Sequence, residues 1–353
     1  MSNRTYSPDV VKIDGSQGEG GGQILRTAIS LSAISGKPVE VSNIRANRTN
    51  PGLRPQHMVG IRIIADLFHA KSENLKVGAD WIRFSPSDKF KGGSVKFDIG
   101  TAGSIPLILM TVVPAVSLSN NSVQIEITGG TDVKASPTID YIKHIVAKSY
   151  LSIGPEFSVD VLKRGYYPKG GGVVQCTIKP CKTPGTIELL GTGYLEPKII
   201  SVCSSQLPMH VAKRQISSAL IALEKKDIQC SNYTASIETS ISSGSSILVY
   251  SASDFGLYIG GDSIGQLGKR AEAVGTEAAM RFLDSTFGQA TVDPFLADML
   301  VVPLALSKGR SRYRVARVTQ HLLTNLHVVS EIVGCKYRIE QQQGGSYIVT
   351  IEG

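Results

Sequence analysis

The chain contains no CxxC pair. Its five cysteines, Cys176, Cys181, Cys203, Cys230 and Cys335, show no zinc-like spacing. A zinc ribbon and a dithiol redox motif are thereby excluded, and buried free thiols are expected, with an intracellular disulfide left open for a thermophile. No apolar run approaches the roughly 20 residues needed to cross a bilayer, so no membrane partner is expected. Residues Met1 to Pro8 lack the apolar core of a signal peptide, and the expectation is a soluble, cytoplasmic protein. The glycine-rich stretch near the N-terminus is not followed by Gly-Lys-Ser/Thr, which excludes a Walker loop. It also lacks the usual spacing of a dinucleotide-binding GxGxxG turn.

What is present is a chain of 353 residues, 42% hydrophobic and strongly periodic. That excludes a disordered chain and allows about two domains. The formal charge of +8 favours a polyanionic partner without identifying it.

The glycine stretch, residues 14–28, follows a short predicted strand at residues 10–13 and leads into a helix. Ile24, Leu25, Ala28, Ile29, Leu31 and Ile34 recur at helical spacing until Gly36-Lys37-Pro38 stops it. Strand, glycine turn and helix N-terminus together form an anion site, because glycine lets backbone approach a phosphate and the first-turn N–H groups face it. Glu19 is placed to hold a divalent cation, and Gln23 and Arg26, one turn apart, to reach a phosphate. The plainer alternative is a flexible turn carrying surface side chains.

The first unit continues with a predicted strand at 39–44, a polar loop at 45–57, a helix at 58–70 and strands at 75–77 and 81–84. This βαβαββ order returns with strand 95–99, glycine turn 100–104, helix 105–116, strand 123–127, helix 139–151 and strands 157–161 and 173–178. Corresponding positions lie about 80 residues apart, which points to domain triplication rather than a solenoid. A third copy is expected to be split. Its opening strand and turn lie at 186–193, whereas its helix follows at 294–306, then strand 313–318, helix 321–332 and strands 336–339 and 347–351. Residues 196–285 carry their own β-α-β-β-α pattern, with helices at 210–224 and 266–283. The expected fold class is therefore α/β (α+β). Three βαβαββ units form one large domain over 1–195 and 286–353, and 196–285 form a smaller inserted α/β domain, with a cleft between domains as the ligand site.

Three constellations carry chemistry. The loop at 45–57 offers Arg45, Arg48, Arg54, Gln56 and His57 ahead of a helix. Guanidinium groups hold phosphate through paired hydrogen bonds, which suits a nucleotide or an RNA terminus, although a solvated loop reads the same by charge. In the run 318–325, Thr319 or Gln320 caps a helix and puts His321 in its first turn. There the helix dipole favours neutral imidazole and would stabilise a phosphate attached to the ring, the two needs of a nucleophilic histidine. The third, Tyr166 to Gly172, reads as a hairpin with aromatic packing, although Lys169 and its glycine amides are able to touch a phosphate backbone. His69, His144, His210 and His327 lack comparable neighbours and read as surface or packing residues.

Taken as a set, several motifs closely resemble the RNA 3'-terminal phosphate cyclase family. They are Gly18-Glu19-Gly20-Gly21-Gly22-Gln23-Ile24-Leu25-Arg26, Ile44 to Arg48, Pro51 to His57, and Gly129-Gly130-Thr131-Asp132. Gly165 to Gly172, Leu296-Ala297-Asp298 and His321-Leu322-Leu323-Thr324-Asn325 complete the set. The likeness runs nearly the whole length and is weakest at 196–285. It implies three βαβαββ units with an insert, and a ligase-type reaction in RNA processing that uses ATP and a divalent metal, Mg2+ or Mn2+, on RNA with a 3'-terminal phosphate. The product implied is a 2',3'-cyclic phosphate, formed through histidyl-AMP and RNA-adenylate intermediates; a homodimer is compatible with it. By matching position, His321 would be the nucleophile and Glu19 the metal ligand. Gln23 and Arg26 would hold the triphosphate, and Arg45, Arg48, Gln56 and His57 the RNA end or pyrophosphate. Pro137 and Phe295 would sandwich adenine beside Asp298. Met110 and Met299 stand where bacterial members carry glutamine, so polar contacts to the nucleotide are expected to differ. His321 separates the chain from catalytically inactive nucleolar members, which lack that histidine.

Overall fold

The computed structural model describes residues 10–87, 89–191, 196–253 and 256–353. The elements in chain order begin with β1 (Val11–Asp14), α1 (Gly22–Ser35), β2 (Val39–Ser42), α2 (Pro55–Leu67), β3 (Lys71–Glu73) and β4 (Ile82–Ser85). Next come β5 (Gly93–Asp98), α3 (Ile105–Ser117), β6 (Val123–Gly129), α4 (Ile139–Tyr141), a π-helical turn (Ile142–Val146), α5 (Ala147–Leu151), β7 (Phe157–Lys163) and β8 (Gly172–Ile178). They are followed by β9 (Glu188–Leu189), β10 (Lys198–Ser204), α6 (His210–Glu224), β11 (Asn232–Glu238), β12 (Ser245–Ala252), β13 (Tyr258–Ile264) and α7 (Ala271–Phe287). The chain closes with α8 (Pro294–Met299), α9 (Val301–Ala305), β14 (Arg310–Val315), α10 (Gln320–Val333), β15 (Lys336–Gln341) and β16 (Tyr347–Glu352). The protein is a mixed α/β chain.

The strands form four sheets, ordered β1-β2-β4-β3, β5-β6-β8-β7, β9-β14-β16-β15 and β11-β10-β12-β13. In each of the first three, the opening pair is parallel and the other two pairs are antiparallel, as in Val11↔Val39, Val39↔Phe84 and Ser72↔Phe84. Burial alternates along β6 and β8, so one face of that sheet meets the core while the other meets water. Helix α1 packs on α2, α3 and α10, which brings helices associated with different sheets into one continuous apolar core. Helices α6 and α7 pack on each other and on β12, around a second, separate core.

Most predicted elements lie within a few residues of the observed ones. Gly36 (φ 71°) and Gly334 (φ 76°) end α1 and α10 in the left-handed conformation that glycine adopts without a Cβ clash. Several boundaries differ. The strand expected at 75–77 is a turn, and the chain pairs at Lys71–Glu73 instead. Asn74 (φ 60°) and Gly78 (φ 82°) bracket Leu75–Val77 with left-handed residues that no strand accommodates. Helix α2 starts at Pro55 rather than Met58, proline being well suited to the first helical turn. The opening strand of the third sheet shrinks to Glu188–Leu189, and Thr192 and Gly193 of its expected turn lie outside the described residues. The helix expected over 294–306 is two short helices jointed at Leu300. Residues 196–285 hold one strand more than the expected pattern, because Gly260-Gly261-Asp262 reads as a turn yet lies inside β13. The following helix begins at Ala271 instead of 266. All five cysteines are free thiols. No helix among the described residues is long and apolar enough to cross a membrane.

Candidate active site

One cleft of about 700 Å³ receives the glycine turn, the loop at 45–57 and the starts of α8 and α10. Such a volume suits a nucleotide-sized ligand. The turn gets there by close backbone approach. Gly18 and Gly20 have positive φ, and a Cβ on either would meet Thr324 or Asn47 at about 2.5 Å. A Cβ on Gly22 would lie 2.4 Å from the His57 ring. No side chain caps the start of α1, and Gly22 and Gln23 line the cleft at that end. An uncapped helix N-terminus facing a cavity is an anion site.

His321 stands across from this turn. The hydroxyl of Thr319 accepts the Leu322 N–H at 3.1 Å and caps α10, which puts His321 in the first helical turn. The ring's Nδ1 is hydrogen-bonded to Gln23 Oε1, and its Nε2 lies 3.1 Å from Glu19 Oε2. Gln23 also donates through Nε2 to Asp298 Oδ2 and to the His321 carbonyl, each at 3.1 Å. With Gln23 Oε1 accepting, the proton of a neutral ring sits on Nδ1 and Nε2 carries the lone pair. Burial lowers the pKa of His321; Glu19 opposes the shift, while Arg26 and Arg48 reinforce it. Behind the ring, Asn325 donates to the Asp298 carbonyl at 2.9 Å and accepts from the Thr27 hydroxyl at 2.6 Å, tying α1, α8 and α10 together.

The cationic wall is built from Arg26, Arg45, Arg48, Arg54 and Lys134. Arg48 pairs with Glu19 at 3.1 Å, so Glu19 Oε2 lies close to both a guanidinium and the His321 ring. Arg45 donates to the carbonyls of Asn50 and Gly52 and so braces its own loop. Burial pushes Arg26 down to about 10, against the opposing charge of Asp298. Burial and the same cluster of arginines push His57 down to about 3, so it is neutral at physiological pH. His57 Nδ1 accepts the Arg54 N–H at 3.1 Å, which leaves its proton on Nε2 as a neutral donor beside Gly22. Gln56 accepts the Ser104 N–H at 2.8 Å, joining α2 to the turn before α3.

At the other end, Pro137 and Phe295 line the cleft together with Met110 and Met299. Phe295 is 40% exposed and meets the edge of Tyr141 at a centroid distance of 6.4 Å. The Tyr141 hydroxyl donates to both carboxylate oxygens of buried Asp293, which also caps α8 through the Phe295 and Leu296 N–H groups. Burial raises Asp298 to about 7, opposed by Arg26 and the Gln23 bond.

Thus Glu19, Gln23, Arg26, Arg45, Arg48, Gln56, His57, Pro137, Phe295, Asp298 and His321 all line this one cleft. Lys169 does not line it; its N–H donates to Ser242 and its loop bridges Tyr166 to Gly170. His144 packs against Tyr250, a packing role as the sequence suggested. Sequence reasoning missed Lys134, Asp262 and Arg281, which also line the cleft. The last two belong to β13 and α7, and nothing in the local pattern of either marks a site. Among the described residues no group of three or more His, Cys, Asp or Glu is arranged to hold a metal.

Residues 17–339 match the family described as RNA 3'-terminal phosphate cyclase. An RNA 3'-terminal phosphate cyclase of Pyrobaculum aerophilum is 40% identical over 344 residues, covering 97% of this chain and 98% of that protein. One of Pyrococcus furiosus is 42% identical over 333 residues, covering 94% and 95%. One of Thermococcus onnurineus is 41% identical over 345 residues, covering 98% and 99%.

Proposed function

Because the chain belongs to the RNA 3'-terminal phosphate cyclase family, an enzyme family, we propose that it uses ATP to turn an RNA 3'-terminal phosphate into a 2',3'-cyclic phosphate. The observation that carries this reading is the His321 ring, held through Nδ1 by Gln23 and facing the glycine turn with Nε2. In the first step Nε2 attacks the α-phosphorus of ATP. An N–P bond forms, the bond to the bridging oxygen breaks, and pyrophosphate leaves. The α10 N-terminus and the arginine wall stabilise the charge gathered on the phosphates. Gln23 and Arg26 hold the triphosphate, while Arg45, Arg48, Gln56 and His57 line the path for pyrophosphate or the RNA end. Glu19 would hold the divalent cation, which would supply neutralisation of phosphate charge.

In the second step an oxygen of the RNA 3'-phosphate attacks the same phosphorus and the N–P bond breaks, leaving RNA capped by AMP. In the third, the neighbouring 2'-hydroxyl loses its proton and attacks the RNA phosphorus, expelling AMP. The activation is needed because a phosphate monoester has no good leaving group, whereas AMP is one. The vicinal hydroxyl is already in place for ring closure. Pro137 and Phe295 sandwich the adenine, with Asp298 beside it.

We read the three like-ordered sheets as copies of one βαβαββ unit within a large domain, 1–195 and 286–353, interrupted by an inserted domain at 196–285. The shared strand order and the separate core of α6 and α7 support this.

The test is incubation with α-labelled ATP and Mg2+ or Mn2+. The wild type acquires an acid-labile label and converts a 3'-phosphorylated oligoribonucleotide to a phosphatase-resistant product. His321→Ala loses both, by about a thousandfold or more. A folded wild type that never takes up label would defeat the reading.

A further inference from the structure

Strand β13, at the edge of its sheet, bonds through three groups to the segments that carry Phe295 and Pro137. The Tyr258 carbonyl accepts the Asp293 N–H at 3.2 Å, and the Gly260 N–H donates to the Asp293 carboxylate at 2.9 Å. Two residues on, Asp262 Oδ2 accepts the Thr138 N–H at 2.7 Å. Asp293 caps α8 and so fixes Phe295, while Thr138 directly follows Pro137. The two apolar faces of the cleft are therefore bonded to a single strand. Asp262 is 4% exposed, and Arg281 of α7 donates to its carbonyl at 2.6 Å and lies 3.7 Å from its carboxylate. A Cβ on Gly260 would meet the Tyr141 ring at 2.8 Å, the ring whose edge faces Phe295.

We propose that β13 is the spacer that sets the gap between Pro137 and Phe295, which makes Asp262 and Gly260 positioning residues for recognition of the nucleotide base. The inference rests on the reading of those two side chains as the faces that hold adenine. Its physical basis is that dispersion between stacked groups falls steeply with separation, so a slot a fraction of an ångström too wide forfeits much of the attraction. The insert thereby becomes part of the nucleotide site rather than an appendage. The bonds from His321 to Gln23 and from Arg48 to Glu19 run through other elements. Disturbing β13 therefore strikes base recognition more than the triphosphate.

The experiment is calorimetric titration of the full chain with ATP, GTP and inorganic tripolyphosphate, for the wild type, Asp262→Ala, Asp262→Asn and Gly260→Ala. Asp262→Ala and Gly260→Ala are expected to weaken ATP about tenfold and narrow the preference for ATP over GTP, with tripolyphosphate changed less than about twofold. Asp262→Asn keeps an oxygen for the Thr138 N–H and stays within about threefold of the wild type. Thermal unfolding checks each fold. Should either alanine variant not fold, Asp262→Ser decides, since it keeps a small polar side chain in the buried space but falls short of the Thr138 N–H. ATP binding unchanged in the variants, or loss of tripolyphosphate in the same proportion, overturns the spacer. A wild type that binds ATP no more tightly than tripolyphosphate overturns the adenine reading and the spacer with it.

Discussion

At the scale of single residues, the proposed reaction turns on protonation. In it His321 must be neutral to attack, and burial holds its pKa below the 6.5 of a free imidazole. The adenylation rate is therefore expected to show the midpoint of its acid limb below pH 6.5, in stopped reactions with labelled ATP. Asp298 shifts the other way, from 3.8 to about 7. Folded protein keeps that proton between these values while unfolded chain releases it, so this group's contribution to stability declines as pH rises from about 4 to 7. Asp298→Asn removes the effect. Its thermal midpoint should match the wild type near pH 4 and exceed it at pH 8, and an equal gap at both values would contradict the shift. Glu19, Gln23, Arg26, the residues of the 45–57 loop and His321 were legible from sequence because each sits in a motif with a chemical reason. Pro137, Phe295 and Asp298 came only from the family resemblance. The approach of Arg48 and His321 to Glu19 was not legible, since it joins positions far apart in the chain.

At the scale of elements, the proposed reaction places its chemistry at the start of α10. Thr319→Ala removes the hydroxyl that caps Leu322 and should cost about 1 kcal/mol of stability in urea unfolding. Because the same turn orients His321, kcat for adenylation should fall more than KM for ATP rises, and equal changes in both would argue against an orienting role. Helices were readable from periodicity and their glycine stops, α1 and α10 above all. Short strands were less so. At β3 two left-handed residues moved the pairing, and at β13 paired glycines that signal a turn were tolerated inside a strand. Glycine at 260 and 261 is required there by the close approach of Tyr141 and of the α7 backbone.

At the scale of the whole molecule, a buried ion cluster joins the sheet of β5 to β8 to the sheet of β10 to β13. Arg164, 2% exposed, contacts Asp132 at 3.2 Å, Asp140 at 2.9 Å and Glu238 of β11 at 2.8 Å. Its N–H also donates to the Thr239 carbonyl at 2.9 Å. Arg164→Met leaves buried carboxylates unpaired and should destabilise the fold by about 3–5 kcal/mol. Adding Asp132→Asn should recover part of that loss in a denaturant titration, whereas strict additivity would mean that the two side chains do not interact.

Sequence alone determined which stretches are helices and glycine turns and which side chains are fit for phosphate chemistry. Those properties are local, set by spacing, backbone freedom and functional groups within a few residues. Tertiary structure alone decided that the α1 turn, α8 and α10 meet at one cleft, and that an overlooked strand braces both sides of it. Such meetings depend on hydrogen bonds and packing between residues more than a hundred positions apart, and no short window of sequence contains them.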